Sequence, residues 1–227
     1  MFKKTAAALA VLLVLAAFWA SDTSTATDPA ETGIFSSGYS LLSDDDYVIS
    51  PYDELMRGIC EPEGHDWRLM SAIAYHESRF RSYLVSPRGA RGLMQIMPSV
   101  ARQFGVPVET AADPTTNVWL ACKLLTRIEE GLYMAYGTPD EDRLRIVLAS
   151  YNSGLGHVND ARRLARFYGE NPDSWEVVKH YLRMKSRPEF YRHRVVKCGR
   201  FAGSRQTQAY VDDVVEHYRI YCCMAER

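Results

Sequence analysis

One carboxylate in this sequence stands where an acid is least comfortable. Trp67, Met70, Ala74 and Glu77 follow one another at intervals of three, four and three residues, with Phe80 just beyond. That spacing puts them on one face of a helix, so an apolar stripe runs directly into a glutamate. Surface helices carry Glu on the opposite face. On the buried face the charged form loses hydration, and the pKa is expected to rise. One to two units of rise correspond to about 1.4–2.8 kcal/mol. Such a group stays protonated near neutral pH and can hand a proton to a leaving oxygen. An ion pair with Arg79, Arg88 or Arg91 would bury the same carboxylate for structural reasons alone, and the residues themselves leave both readings open. His76-Glu77 does not open a zinc-protease motif, because that motif needs a second histidine at position 80, which is Phe.

The elements around Glu77 read as helices. Asp66 is suited to cap the helix carrying Trp67, Met70, Ile73 and Ala74. A second helix is expected over about Thr116 to Glu130, with Val118, Cys122, Leu125 and Ile128 on one face. A third starts near Glu141 and stripes Leu144, Val147, Leu148 and Tyr151. Further helices fit Val158 to Phe167, Ser174 to Leu182, Glu189 to Val196 and Gln206 to Tyr221, the last striping Thr207, Tyr210, Val211, Val214 and Tyr218. Strand signals are weak: Ser82 to Met94, with Pro87 and two glycines, fits a small irregular hairpin or loop. The expected class is mostly α (at most α+β with a small β element), as a single globular domain of packed helices.

The chain has 227 residues, 47% hydrophobic and 24% charged, enough for one domain with a sizeable core. Lys3 and Lys4 precede an apolar run from Ala6 to Ala20, too short for a comfortable membrane span. Residues 1–26 therefore read as a secretory signal, with an uncleaved signal anchor as the alternative, and the destination as periplasm or cell envelope. Residues 27–50, rich in Ser, Thr, Asp and Gly, read as a disordered linker, and 51–223 as the folded domain. Five cysteines (Cys60, Cys122, Cys198, Cys222, Cys223) in an oxidising compartment suggest one or two disulfides, with Cys60 to the C-terminal region as one pairing. No CxxC pair supports a structural zinc site. A net charge of -1 argues against a nucleic-acid partner. Between Lys179 and Arg205, however, nine basic residues face one acid, Glu189, so this segment suits either an anionic polymer or a solvated helix face.

The context of Glu77 is specific. Glu77-Ser78-Arg79-Phe80 is followed by Ser86-Pro87-Arg88-Gly89-Ala90-Arg91-Gly92-Leu93-Met94-Gln95-Ile96-Met97-Pro98, then Asp113-Pro114-Thr115-Thr116-Asn117, then Ser150-Tyr151-Asn152-Ser153-Gly154. In that order these resemble the catalytic domain of the family 1 lytic transglycosylases, the soluble lytic transglycosylase group with a goose-type lysozyme-like fold. The resemblance covers about Tyr52 to Tyr221. It implies that Glu77 is the sole catalytic acid and base, and that Ser78 beside it contacts substrate. It implies that Gln95 and Met97 line the sugar cleft, that the Tyr151 hydroxyl lies near Glu77, and that Asn152 follows at the cleft. It implies that Tyr210 closes the same wall. Gly89 and Gly92 would let the backbone approach a sugar closely, or would serve only to shape a turn. The implied partner is the glycan strand of peptidoglycan, cut between N-acetylmuramic acid and N-acetylglucosamine to leave a 1,6-anhydromuramoyl end, with no metal or organic cofactor. A hydrolytic muramidase would need a second acid such as Asp53, Glu109 or Asp113. A non-catalytic peptidoglycan-binding scaffold would have no use for a buried acid.

Overall fold

The computed structural model describes residues 47–225, so the expected signal segment and most of the expected linker lie outside the described residues. Among these residues the chain forms helices α1 (Asp53–Cys60), α2 (Trp67–Ser78), α3 (Pro98–Gln103), α4 (Pro114–Leu132), α5 (Asp140–Ser153), α6 (Leu155–Phe167), α7 (Trp175–Met184), α8 (Pro188–Tyr191) and α9 (Ser204–Ala225). The β content is two isolated antiparallel bridges, Val85 with Arg91 inside the irregular loop expected over Ser82 to Met94, and Arg91 with Ile96 just past its end. The class is mostly α, as the periodicity indicated.

Helix α2 starts where Asp66 accepts a hydrogen bond from the Arg68 amide at 2.9 Å. Its buried residues, Met70, Ala72, Ile73 and Ala74, have no exposed surface and form the centre of the core. Burying a side chain such as Met70 or Ile73 stabilises the fold by roughly 1.5–3 kcal/mol each. Against this stripe lie α1 and, most extensively, α9. Helices α4 and α5 extend the same core through Leu120, Ala121, Leu125, Ile146 and Leu148. Helix α6 packs on α5 and α7 at the far side.

Three expectations change. Residues 47–50, assigned above to the linker, belong to the domain: the Ile49 and Ser50 amides donate to the Asp53 carboxylate at 2.6 and 2.9 Å, and Ser50 is buried. The helix expected over Glu189 to Val196 stops at Tyr191. Asp160, fully buried on α6, captures the backbone amides of Lys197 and Cys198 at 2.7 and 2.8 Å, which pulls the chain out of helical register. Cys60 faces Cys122 rather than the C-terminal region, their sulfurs 3.6 Å apart as buried free thiols that join α1 to α4.

Two buried charge clusters fasten α6. The Arg162 guanidinium is held by Asp173 and by the Leu132 and Pro172 carbonyls. Asp160 takes Arg163 and the fully buried Lys185 ammonium, the latter at 2.7 Å. Asp160→Ala would leave Lys185 without a counter-charge in the interior, and a loss of about 3–5 kcal/mol is expected in urea denaturation. A loss under about 1 kcal/mol would contradict this account of the cluster.

Candidate active site

Glu77 lies in the last turn of α2, and the helix ends immediately after it. Arg79 and Phe80 take left-handed backbone angles (φ 54° and 60°), and the Arg79 amide caps the helix by donating to the Tyr75 carbonyl at 2.9 Å. Non-glycine residues in that region carry strain of order 1–3 kcal/mol each. The Arg79 guanidinium, one of the arginines considered above as a partner for Glu77, instead stacks over the Tyr75 ring at 4.0 Å.

Among the described residues Glu77 makes no ion pair, so the arginine reading of its burial is not realised. The side chain keeps a little accessible surface, but protein surrounds it densely. Burial pushes its carboxyl up to about 7, against a smaller opposing effect of the Tyr210 hydroxyl. Its place at the negative end of α2 adds to the disfavour of charge. The neighbouring His76 is driven down to about 4 by burial and by His217, whose Nδ1 lies 3.0 Å from His76 Nε2. His76 is therefore a neutral packing residue at neutral pH, not a second charge.

Two tyrosines face the carboxyl. Tyr151, in the last turn of α5, donates its hydroxyl to the Met94 carbonyl at 2.8 Å. Tyr210, on α9, carries a buried hydroxyl with no hydrogen-bond partner of acceptable geometry, although it lies near enough to Glu77 to favour its ionised form. Burial first, and then the Glu77 charge, raise both phenols well above their usual range, so both remain neutral donors.

The loop from Phe80 to Met97 forms another wall. Gln95 also has a positive φ (46°), and its Nε2 donates to the Leu84 and Gly92 carbonyls at 3.1 and 2.9 Å. Fully buried Asn117, in the first turn of α4, holds this loop from behind. Its Oδ1 accepts from the Met94 amide at 2.7 Å, and its Nδ2 donates to the Arg91 and Ala111 carbonyls at 2.9 and 2.6 Å. Asp113 caps α4 through the Thr116 amide and hydroxyl, both at 3.0 Å. A Cβ on Gly92 would come within 2.7 Å of the Asn117 amide group, and Gly92 has φ +77°. Gly92 is thus needed for close packing against Asn117, a requirement separate from the turn and sugar-approach roles expected of it. Gly89 (φ +82°) meets nothing closer than Pro98 at 3.9 Å and serves its turn.

The structure therefore brings Glu77, Tyr151 and Tyr210 together, with Gln95 on the supporting loop. Met97 is 37% exposed at the start of α3, an apolar surface open to a ligand. Asn152 is exposed and accepts from the buried Thr207 hydroxyl at 2.9 Å, tying α5 to α9 beside Tyr210. Ser78 is not presented outward: it is 1% exposed, and its hydroxyl donates to the Ala74 carbonyl at 3.1 Å. Asn117 was visible in its motif, yet its function as a loop anchor was not. An asparagine just after an Asp-Pro helix start, next to an apolar face, was the available signal.

A helical domain that sets one protonatable, unpaired carboxyl between neutral phenols has the chemical make-up that general acid–base chemistry requires. The profile of the Transglycosylase SLT domain family matches residues 55–173, and the chain belongs to that family. It is 33% identical over 183 residues to the membrane-bound lytic murein transglycosylase F of Marinobacter nauticus, covering 77% of this chain and 34% of that protein. It is 37% identical over 155 residues to the protein of the same name from Shewanella halifaxensis, covering 67% and 31%. The chain spans about a third of the length of these curated relatives. It also resembles the crystal structure of the 70 kDa soluble lytic transglycosylase of Escherichia coli, at a TM-score of 0.49 and 21% identity over 75% of this chain and 24% of that one.

Two outcomes follow from this geometry. Between pH 4.5 and about 7 the folded protein holds a proton on Glu77 that the unfolded chain releases, so stability falls as pH rises through that window. Glu77→Gln is expected to stabilise the fold at pH 8 by roughly 1–3 kcal/mol and to change nothing at pH 4, read from thermal melts at both pH values. Asn117→Ala leaves the Met94 amide and the Ala111 carbonyl without partners, while the Arg91 carbonyl keeps the Ile96 amide, for an expected loss of about 2–4 kcal/mol. The loosened loop is expected to lower turnover by roughly ten- to a hundredfold, and unchanged turnover would show that Asn117 does not position the site.

Proposed function

We propose that this chain is a peptidoglycan lytic transglycosylase that uses Glu77 twice. The observation that carries the reading is the carboxyl itself, unpaired, pushed up to about 7 and faced by Tyr151 and Tyr210. Protonated Glu77 donates to the oxygen linking N-acetylmuramic acid to N-acetylglucosamine as the bond from that oxygen to the muramoyl anomeric carbon breaks. The substrate's own acetamido group supports the charge that develops on the sugar. The Glu77 carboxylate then removes the proton from the muramoyl 6-hydroxyl, whose oxygen bonds to the anomeric carbon. The product is a 1,6-anhydromuramoyl end, and Glu77 is again protonated.

The tyrosines have defined work in this scheme. The Tyr210 hydroxyl, an unused donor in the resting site, stabilises the Glu77 anion formed by the first step. Tyr151 holds the Met94 carbonyl, and with it the loop that carries Gln95 and Met97 toward the sugars. Asn152 and Ser78 are assigned the flanks of this cleft, Ser78 acting through its helix rather than by an exposed hydroxyl. No metal or organic cofactor enters any step.

A hydrolase would need a second carboxylate, and the candidates are occupied by other bonds or lie on the open surface. Asp53 accepts from the Ile49 and Ser50 amides, Asp113 caps α4, and Glu109 lies on the exposed surface. The proposal extends to location: residues 1–26 export the chain to the periplasm or cell envelope, where its substrate lies. No described helix is long and apolar enough to cross a membrane.

Digestion of purified peptidoglycan, followed by mass spectrometry of the muropeptides, tests the reaction. The wild type is expected to release anhydromuramoyl ends and Glu77→Gln to release none, a loss of at least a thousandfold (about 4 kcal/mol of barrier). Reducing ends from the wild type would make it a hydrolase.

A further inference from the structure

A second feature lies where α7 ends and α9 begins. An open cavity of about 510 Å³ is lined by Arg183 and Ser186 from the end of α7, and by Ser204, Arg205, Gln206 and Gln208 from the start of α9. None of the residues around it is acidic. Arg68, Arg145, Arg162, Arg163 and Arg219 all stand in ion pairs. Arg183 and Arg205 are among the described arginines without such a partner, and they are the two that line one cavity. Two guanidiniums facing one cavity repel each other, and an anion between them removes that repulsion.

The cavity walls are fixed from within. Lys185, fully buried just past α7, gives its ammonium to Asp160, while its backbone carbonyl accepts from the Phe201 amide at 3.1 Å. Asp160 in turn holds the amides of Lys197 and Cys198. The segment leading into α9 is thereby held against α7, which sets the spacing of Arg183 and Arg205 before any ligand arrives. Ser186 is spent on the Arg183 carbonyl at 2.9 Å, so the two guanidiniums, the glutamine amides and the Ser204 hydroxyl are the available side-chain donors. The more conspicuous Arg192 and Arg194 are engaged elsewhere, over the Tyr191 and Phe167 rings at 5.6 and 5.3 Å.

The cavity shares helix α9 with Tyr210 of the site around Glu77. Gln206 precedes Tyr210 by four residues, one helical turn or about 6 Å along the same face of α9. A polymer seated beside Tyr210 would pass a side branch toward Gln206 and the two arginines. Planar guanidiniums match carboxylates, which they grip in bidentate fashion.

We infer that this cavity binds a carboxylate of the peptide branch carried by the muramoyl residues of peptidoglycan, and so selects peptide-bearing glycan. The inference rests on the transglycosylase reading for the position of the glycan, and its test is separable from that reading. Full-length protein in the Glu77→Gln form, which removes turnover, is pelleted with two kinds of sacculi: intact ones, and ones whose peptides an amidase has stripped from the glycan. Arg183→Glu with Arg205→Glu is expected to weaken binding to intact sacculi roughly ten- to hundredfold and to leave binding to stripped sacculi at the parent level. The milder pair, Arg183→Gln with Arg205→Gln, is expected to follow the same pattern with a smaller loss. An equal loss on both kinds of sacculi would place the recognised anion elsewhere in the wall, and no loss on either would remove the site; both overturn the inference. If the wild type shows peptide-dependent binding but yields no cleaved ends, the transglycosylase reading fails while the carboxylate site stands.

Discussion

The constraint on which this structure turns is the burial of one carboxyl without a counter-charge. Among the described residues the other buried acids are answered differently: Asp160 by Lys185 and Arg163, Asp173 by Arg162, and Asp53 by the Ile49 and Ser50 amides and the Ser50 hydroxyl. Glu77 alone is answered by phenols, which offer hydrogen bonds but no charge. An ion pair would have held it ionised and unable to act as an acid. The fold accepts a less stable interior at neutral pH in exchange for a proton that can be given away, the usual trade of stability against activity.

Holding that group in place takes a great deal of the domain. Helix α2 is anchored by a core stripe of residues with no exposed surface, then cut off after Ser78 by two left-handed residues, which leaves Glu77 in its last turn. The opposite wall is an irregular loop with almost no sheet pairing, and a loop of that kind would wander without an internal tie. Asn117 supplies it with three hydrogen bonds from a rigid helix, and Gly92 leaves room for them. Tyr151 adds a fourth tie at Met94, so one residue both faces the acid and fixes the loop. Side chains on regular elements position the site, and the loop is shaped to fit them.

Much of this was readable from the residues. The apolar periodicity located the long helices to within a few positions, because their burial is one-sided, and it singled out Glu77 as an acid on the wrong face. Short elements were lost: α1 and α3 have too few turns to show a period, and the helix expected near Val196 is broken by Asp160, a contact made 37 residues away in the chain. The roles of Gly92, Asn117 and Ser78 depend on which way a loop or hydroxyl turns, and spacing alone does not carry that information. Cys60 and Cys122 meet only because α1 crosses α4. The motif order did carry the family, since four short patterns in register encode one three-dimensional arrangement of loop, helix ends and acid.

The central claim is that the Glu77 carboxyl remains protonated near neutral pH, and it can be measured without substrate. A carbon-13 NMR titration of glutamate side-chain carboxyls, with Glu77 assigned by comparison with Glu77→Gln, reads its midpoint directly. The structure calls for a midpoint near 7, raised from the ordinary glutamate value of about 4.3. A midpoint at the ordinary value would mean that Glu77 is a solvated or paired anion at neutral pH, and the acid–base account would fall with it.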